Sequence, residues 1–568
     1  MRRPAAGSAP RRDLQLAPLP SYSACVAEDF EVSVATASAR KWDVVVVGAG
    51  HNGLVAALVC ARAGLDVLLV EARAAIGGAA RTERPFARAP LLPTSTGAYL
   101  VGLVQPELLA CLGISLPLVR RDPWYFLPTT GSRHLLFGSD EARLEEQFRH
   151  FFSEQDYRAH RELSRELAAL RADIAPTWLE PPLSIEGTAA RYVRPELQSH
   201  FVELCRGSVG RYLDRFGFRS PLLRAMYAVT DGFAGSCGSW NTPGTGMNFL
   251  IHNMCRLPDA SGTWMLPRGG MGSVSEAFAS AAFQAGAVLL RNQPVAAIEA
   301  DGASARAVVT ESGEVIRARA VIAGCDPFRL RELCGRQRFD EPFNTWLDAR
   351  RRPGMSFKLN LALSALPRFS CLPDDRGQFG PTIHLLPDEG QVLEELDAAF
   401  AAAQGGRLPE FPSIEWYVHT PLDPSLTDPG GRISSALFVQ WVPYALAEGD
   451  WDTRADAFSD HLLSICDRFA PGTSALVVDR MALHPQRIER HFGMTLGHIH
   501  HIDNCFGFDD RFPHRTPLPG LYSCSAGTHP AGSVIGSAGF IAAQLLLDDL
   551  GLASSTPSGL RPPAHAGR

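Results

Sequence analysis

A chain of 568 residues, 46 % of them hydrophobic, is too long for one core and predicts two domains, each able to bury a substantial interior. A formal net charge of −6 and a pI near 6.3 provide no basic footprint, which excludes nucleic acid as a partner. No apolar run reaches the length of about 18 residues that a membrane span needs, so membrane contact is confined to peripheral docking.

Residues 1–41 are rich in Ala, Pro, Ser and Arg, and Arg2, Arg3, Arg11 and Arg12 all precede the first acid, Asp13. That composition predicts an organelle presequence directed to the mitochondrial matrix, with plastid or cytosol as alternatives, although Pro4, Pro10, Pro18 and Pro20 work against an amphipathic helix. Residues 44–47 then read as a strand entering Gly48-Ala49-Gly50-His51-Asn52-Gly53. A helical pattern covers 54–63, and 65–70 is a second strand ending on Glu71. This is a β-α-β dinucleotide unit. Gly48 allows the tight turn, Gly50 lets the backbone approach a pyrophosphate, and Gly53 permits close packing of helix on strand. The helix N-terminus faces the phosphates, and Glu71 stands where a carboxylate accepts hydrogen bonds from a ribose and repels a 2′-phosphate, which disfavours NADP. After Arg73 comes a second glycine pair, Gly77-Gly78, similar to the two-part fingerprint of large FAD-dependent oxidoreductases; NAD sites do not need it. Ala49, Asn52 and Arg73 complete the candidate cofactor-binding set of this segment.

Further along, 139–174 predicts two amphipathic helices, the second opened by Ser153 with Asp156 three residues on and closed ahead of Pro176. A helical stretch leads to Tyr227, and the loop 232–246 carries five glycines. From Trp264 a short strand, a glycine turn (Gly269, Gly270, Gly272), a helix and a returning strand follow, and the turn is expected beside the flavin ring. It does not start a second nucleotide site, because residues 289–292 offer no strand ending in an acid. Residues 295–300, 307–310 and 320–324 read as a β-meander that feeds back into the first sheet, and 359–363, 414–419 and 433–441 read as strands of a second, mixed sheet. The predicted architecture is α/β: a discontinuous Rossmann-like FAD-binding domain (42–125, 262–345, 480–552) with a mixed-sheet plus helical substrate domain (126–261, 346–479) and a polar tail at 553–568. None of the twelve cysteines forms a pair with the two- or four-residue spacing of a dithiol relay.

Near the end, 519–539 read PGLYSCSAGTHPAGSVIGSAG: a strand at 521–524, a glycine turn and a helix from about 535. With the N-terminal fingerprint and the PRGGM segment at 267–271, this resembles the phytoene desaturase and carotenoid isomerase group of FAD enzymes over roughly residues 42–551. The resemblance implies a flavin fold acting on a lipophilic or unidentified substrate. It assigns Val295 to the valine whose backbone meets adenine, and Gly527, Thr528 and Pro530 to the turn whose helix points its positive end at the flavin. Ala531 and Ser533 depart from the glycines common in desaturases and put a long polyene substrate in doubt. His529 is the one candidate acid or base, set against a purely structural place in the turn. His498, His500, His501 and Asp503 invite a metal reading, but His501 would point away from the other two histidines on a strand, so no metal is expected. The expected function is dehydrogenation of an apolar substrate by hydride transfer to FAD, with oxygen, a quinone or another carrier as acceptor. The rivals are polyene isomerisation, amine oxidation, and a low-turnover flavoprotein that acts through a protein partner.

Overall fold

The computed structural model describes residues 30–552 apart from 259, 261 and 303; the tail at 553–568 and most of the expected presequence lie outside the described residues. The folded part begins earlier than the boundary expected at 42. Val32 N donates to Leu289 O at 2.9 Å, Phe30 stacks on Phe283 with ring centroids 5.4 Å apart, and the helix Val34–Ser38 buries Ala37.

Strand β1 (Lys41–Val47) runs into helix His51–Arg62 and returns as β2 (Val67–Val70). β1 and β2 are parallel, and their β-branched and leucine runs are buried on both faces, as a sheet covered by helices requires. A ribbon of β3 (Thr82–Glu83) and β4 (Thr94–Ser95) follows, then β5 (Leu118–Val119). The chain next crosses to a second sheet for β6 (Tyr125–Pro128) and β7 (His134–Phe137). Helices Glu141–Phe151 and Glu154–Ile174 come next, and Ser153 caps the second by accepting from Asp156 N at 3.1 Å. More helices lead through Pro221–Tyr227 and a π-turn, Ala228–Gly232, to helix Thr245–His252.

β8 (Leu266–Pro267), helix Gly272–Gln284 and β9 (Val288–Leu290) bring the chain back to the first sheet. The meander β10 (Val295–Asp301), β11 (Ser304–Thr310) and β12 (Val315–Ala323) then places β12 parallel to β1 on the side opposite β2. The second sheet is completed by β13 (Ser356–Leu363), β14 (Thr382–Leu385), β15 (Ser413–Val418), β16 (Ile433–Gln440) and β17 (Val477–Leu483). β17 pairs with β13 through Leu483, so the return to the first layer falls after Leu483 and the boundary expected at 479 cuts a strand. β18 (Leu521–Ser523) joins β12 in parallel, and helix Ser537–Asp549 packs on helix His51–Arg62. The second sheet is antiparallel except where β14 meets β6, hence mixed. The order β9-β2-β1-β12-β18 puts the topological switch point at the C-terminal end of β1, between β2 and β12. That crevice is where open parallel sheets hold ligands.

Candidate active site

A cavity of about 490 Å³ opens at this switch point and reaches the second sheet. Its first wall is the dinucleotide turn: Gly48, Gly50, Asn52, Gly53, Glu71, Arg73, Gly77 and Gly78 all line it. Gly48 has φ +96°, a left-handed value that glycine tolerates. A β-carbon on Gly53 would lie 2.1 Å from Gly48 O, which ties the helix to its strand, whereas one on Gly50 would meet nothing within 4 Å because the space there is the cavity. Gly77 bridges to Gly50, and Gly77 N donates to Ala49 O at 2.8 Å, so the two glycine motifs form one floor. Helix His51–Arg62 has Gly50 as N-cap and no side chain satisfying its first N–H groups, which leaves them for a phosphate. Glu71 closes the far side; it accepts from Ala49 N at 2.9 Å and Arg73 N at 3.0 Å. A cradle free of side chains, open helix N–H groups and a fixed carboxylate fit the pyrophosphate and ribose of FAD.

The adenine-side wall contains Gln293, Pro294, Val295, Arg329 and Asp326. Asp326 caps helix Pro327–Cys334, accepting from Phe328 N and Arg329 N at 3.0 Å each, and its other oxygen accepts from Thr495 N at 3.1 Å and Thr495 Oγ1 at 2.9 Å. Asp326 is not among the site residues expected from the sequence, although an Asp-Pro pair after a buried strand is a helix-start signature.

Toward the second sheet the cavity becomes a chamber lined by Tyr99, Leu100, Ala234, Trp264, Phe438, Ile499 and Val534. Lys358, from β13, stands at the junction: its Nζ donates to Ser95 O and to Gly97 O (2.6 Å) and lies 4.5 Å from the Tyr99 ring centre. Burial pushes this amine well below the ordinary lysine range, against the pull of Glu83, so it is held toward the neutral form. Glu83 in turn is pulled down to about 2 in spite of burial, by hydrogen bonds from His491 and Thr96 and by the Arg81 charge. Glu415, from β15, and Asp231, from the π-turn, also line the chamber. Burial pushes Glu415 up to about 8 and Asp231 up to about 7. No sequence motif marks these residues; a charged residue inside an apolar strand is the one signal for Lys358 and Glu415, and Asp231 has none.

Several expected site residues lie elsewhere. Ala49 is fully buried and does not line the cavity; it serves as the link between Glu71 and Gly77. Gly527, Thr528, His529 and Pro530 do not line it either, and only Ala526, Ser533 and Val534 of that motif do. The physical reason is Arg511, buried and donating to Ala526 O, Thr528 O, Ile502 O and Asp503 O at 2.9–3.1 Å, which turns the motif's carbonyls inward around one guanidinium. His529 packs edge-on against Phe508 with ring centroids 5.4 Å apart, and burial with the neighbouring His514 and Arg511 keeps its imidazole neutral. It is therefore not positioned as a catalytic acid or base. The turn at Gly269–Gly272 is held by the β3–β4 ribbon, through Thr82 Oγ1 and Ser95 Oγ, and its own residues do not line the cavity.

His498, His500 and His501 occupy a loop, not a strand. Donor atoms of His498, Asp503 and Cys237 lie within 4.8 Å of one another, but Asp503 Oδ2 already accepts from Cys237 N at 2.9 Å and pairs with Arg352 at 3.3 Å. This cluster is a clamp that joins the loops at 237 and 503 around one ionised carboxylate.

The family model described as flavin containing amine oxidoreductase matches residues 53–356, more than half of the chain. Pyridine nucleotide-disulfide oxidoreductase domain-containing protein 2 of Rattus norvegicus is 32 % identical, with 90 % of this chain and 94 % of the relative covered. A lycopene-forming phytoene desaturase of a Paracoccus species is 24 % identical over 89 % of this chain and 97 % of its own. Among solved structures, wild-type putrescine oxidase bound to putrescine superimposes with a TM-score of 0.55 at 15 % identity, covering 90 % of this chain and 99 % of that one. The chain belongs to the flavin-containing amine oxidoreductase family and is an FAD-dependent oxidoreductase.

Proposed function

We propose that the enzyme dehydrogenates an apolar substrate and passes the electrons to oxygen, a quinone or another carrier. One observation carries this reading: a single cavity joins the dinucleotide cradle to a chamber walled by Leu100, Ala234, Trp264, Phe438, Ile499 and Val534. FAD, when bound, supplies the two-electron acceptor for a hydride. The chain's part is to hold a substrate C–H against it and keep water out. The phytoene desaturase relative supports an apolar substrate. Amine oxidation is the second reading, favoured by Lys358, which stands at the junction with its pKa lowered by burial, a shift toward the form that accepts a proton. Anaerobic photoreduction followed by a stopped-flow screen of acceptors, and of putrescine and terpene hydrocarbons as donors, tests both. Rapid saturable flavin reduction by a hydrocarbon supports the first reading, and reduction by putrescine alone supports the second. A flavin inert to every donor and acceptor supports a binding role instead. The early arginines Arg2, Arg3, Arg11 and Arg12 support a mitochondrial matrix address, tested by fusing residues 1–45 to a fluorescent reporter. Diffuse cytosolic signal would refute it.

A further inference from the structure

The chamber has a polar pole. Glu415 accepts from Tyr417 Oη through Oε2, and Asp231 accepts from Asn253 Nδ2 at 3.0 Å through Oδ2. The remaining oxygens, Glu415 Oε1 and Asp231 Oδ1, have no hydrogen-bond partner among the described residues, and neither carboxyl is in ion-pair contact with a Lys or Arg there. His500 also lines the chamber, is 4 % exposed, and its Nδ1 has no partner among the described residues. Its ring meets His252, another lining residue, edge-on at 6.3 Å. Two carboxyl oxygens without a hydrogen-bond partner, on residues that line one chamber, mark the place where a ligand completes them.

The chemistry of that ligand is set by the other charges. Arg121 is buried behind the chamber wall, donating to Trp264 O at 2.7 Å and Thr382 Oγ1 at 2.9 Å, two residues that line the chamber. A cationic head group would come up against a guanidinium buried behind Trp264 and Thr382, close enough to act on Glu415. Desolvation favours the protonated carboxyl, as the upward shifts at Glu415 and Asp231 reflect, and a protonated carboxyl donates a hydrogen bond. Building on the dehydrogenase reading, we propose that the substrate is an apolar molecule bearing a hydroxyl or carbonyl oxygen, which seats against Glu415 and Asp231 at the pole away from the dinucleotide cradle.

The test is a titration of the purified flavoprotein, followed by its flavin absorbance, with four terpenes of one skeleton: myrcene, geraniol, citral and geranylamine. Geraniol or citral should bind at least about tenfold more tightly than myrcene and geranylamine, the scale of one buried hydrogen bond. Glu415→Gln keeps an N–H donor and should hold affinity within about threefold, while Glu415→Leu should lose about tenfold or more. Asp231→Asn and Asp231→Leu repeat the comparison on the facing element in case a Glu415 variant fails to fold. Tightest binding of geranylamine with loss in Glu415→Gln, equal binding of all four, or binding of none would overturn the proposal. Failure of the underlying flavoenzyme reading is seen separately, as protein without a flavin spectrum before any terpene is added.

Discussion

At Gly50 the backbone lies open to the cavity, with nothing within 4 Å of where a β-carbon would stand, while Gly77 has φ +103° and would place a β-carbon 2.7 Å from Ala80 O. The same substitution should therefore fail in two ways. Gly50→Asp should yield folded protein without FAD, since the carboxylate occupies and repels the pyrophosphate position, whereas Gly77→Asp should lose both flavin and thermal stability. Flavin content and melting temperature on each variant separate the two, and full flavin occupancy in Gly50→Asp would overturn the cradle assignment. His529 sits behind the cavity wall, so His529→Gln should lower the melting temperature and leave the rate of flavin reduction within a few-fold of wild type. A loss of a hundredfold, the usual scale for a general acid or base, would contradict the inward packing. Glu415 yields a pH signature. Its carboxyl is raised from 4.5 to about 8, so between those values the folded state keeps a proton that the unfolded state has released, and stability falls as pH rises through that window. Glu415→Gln removes this contribution. The variant should gain on wild type as pH is raised from about 5 to about 8, read as the difference in melting temperature, and a constant difference across the window would refute the shift.

At the scale of elements, the site depends on two helices meeting at close range. Helix Ser537–Asp549 carries Gly539, where a β-carbon would lie 2.0 Å from Asn52 O of helix His51–Arg62. Gly539→Val should push the helices apart, cost about 1–3 kcal/mol of stability as overpacking does, and weaken FAD retention because the displaced helix is the one that opens at Gly50. Calorimetry and flavin content check this; an unperturbed melting temperature would mean the contact yields freely. Strand identities in this region were legible in the sequence, since buried parallel strands read as continuous apolar runs, and the Ser153 cap was legible because side chain and amide are only three residues apart. The inward turn of Gly527–Pro530 was not. It depends on Arg511 gathering carbonyls from separate segments of chain, which no local pattern records.

Across the whole molecule, the chain passes from the first sheet to the second at β6, back at β9, over again at β13 and home at β18, so the cavity is built from segments hundreds of residues apart. The described residues contain one β-α-β turn of the dinucleotide type, and the glycine turn at Gly269–Gly272 is taken up by Thr82 and Ser95. NADH and NADPH should therefore reduce the bound flavin slowly, on the order of less than 1 per second, below typical turnover. Fast, saturable bleaching by either nucleotide in a stopped-flow experiment would show a second nucleotide site.

The amino-acid sequence by itself determined the cofactor and the fold class. A strand, three glycines, a helix, a second strand and a terminal acid form a local unit whose geometry follows from short-range sterics, and the second glycine pair lies close by in the chain. Tertiary structure alone decided the chemistry of the substrate end. Lys358, Glu415 and Asp231 come from β13, β15 and a π-turn, and what each can do depends on burial and neighbours that exist only once the two sheets close on the cavity. A protonation state is a property of the surroundings rather than of the residue, so it could not be read before the surroundings were in place.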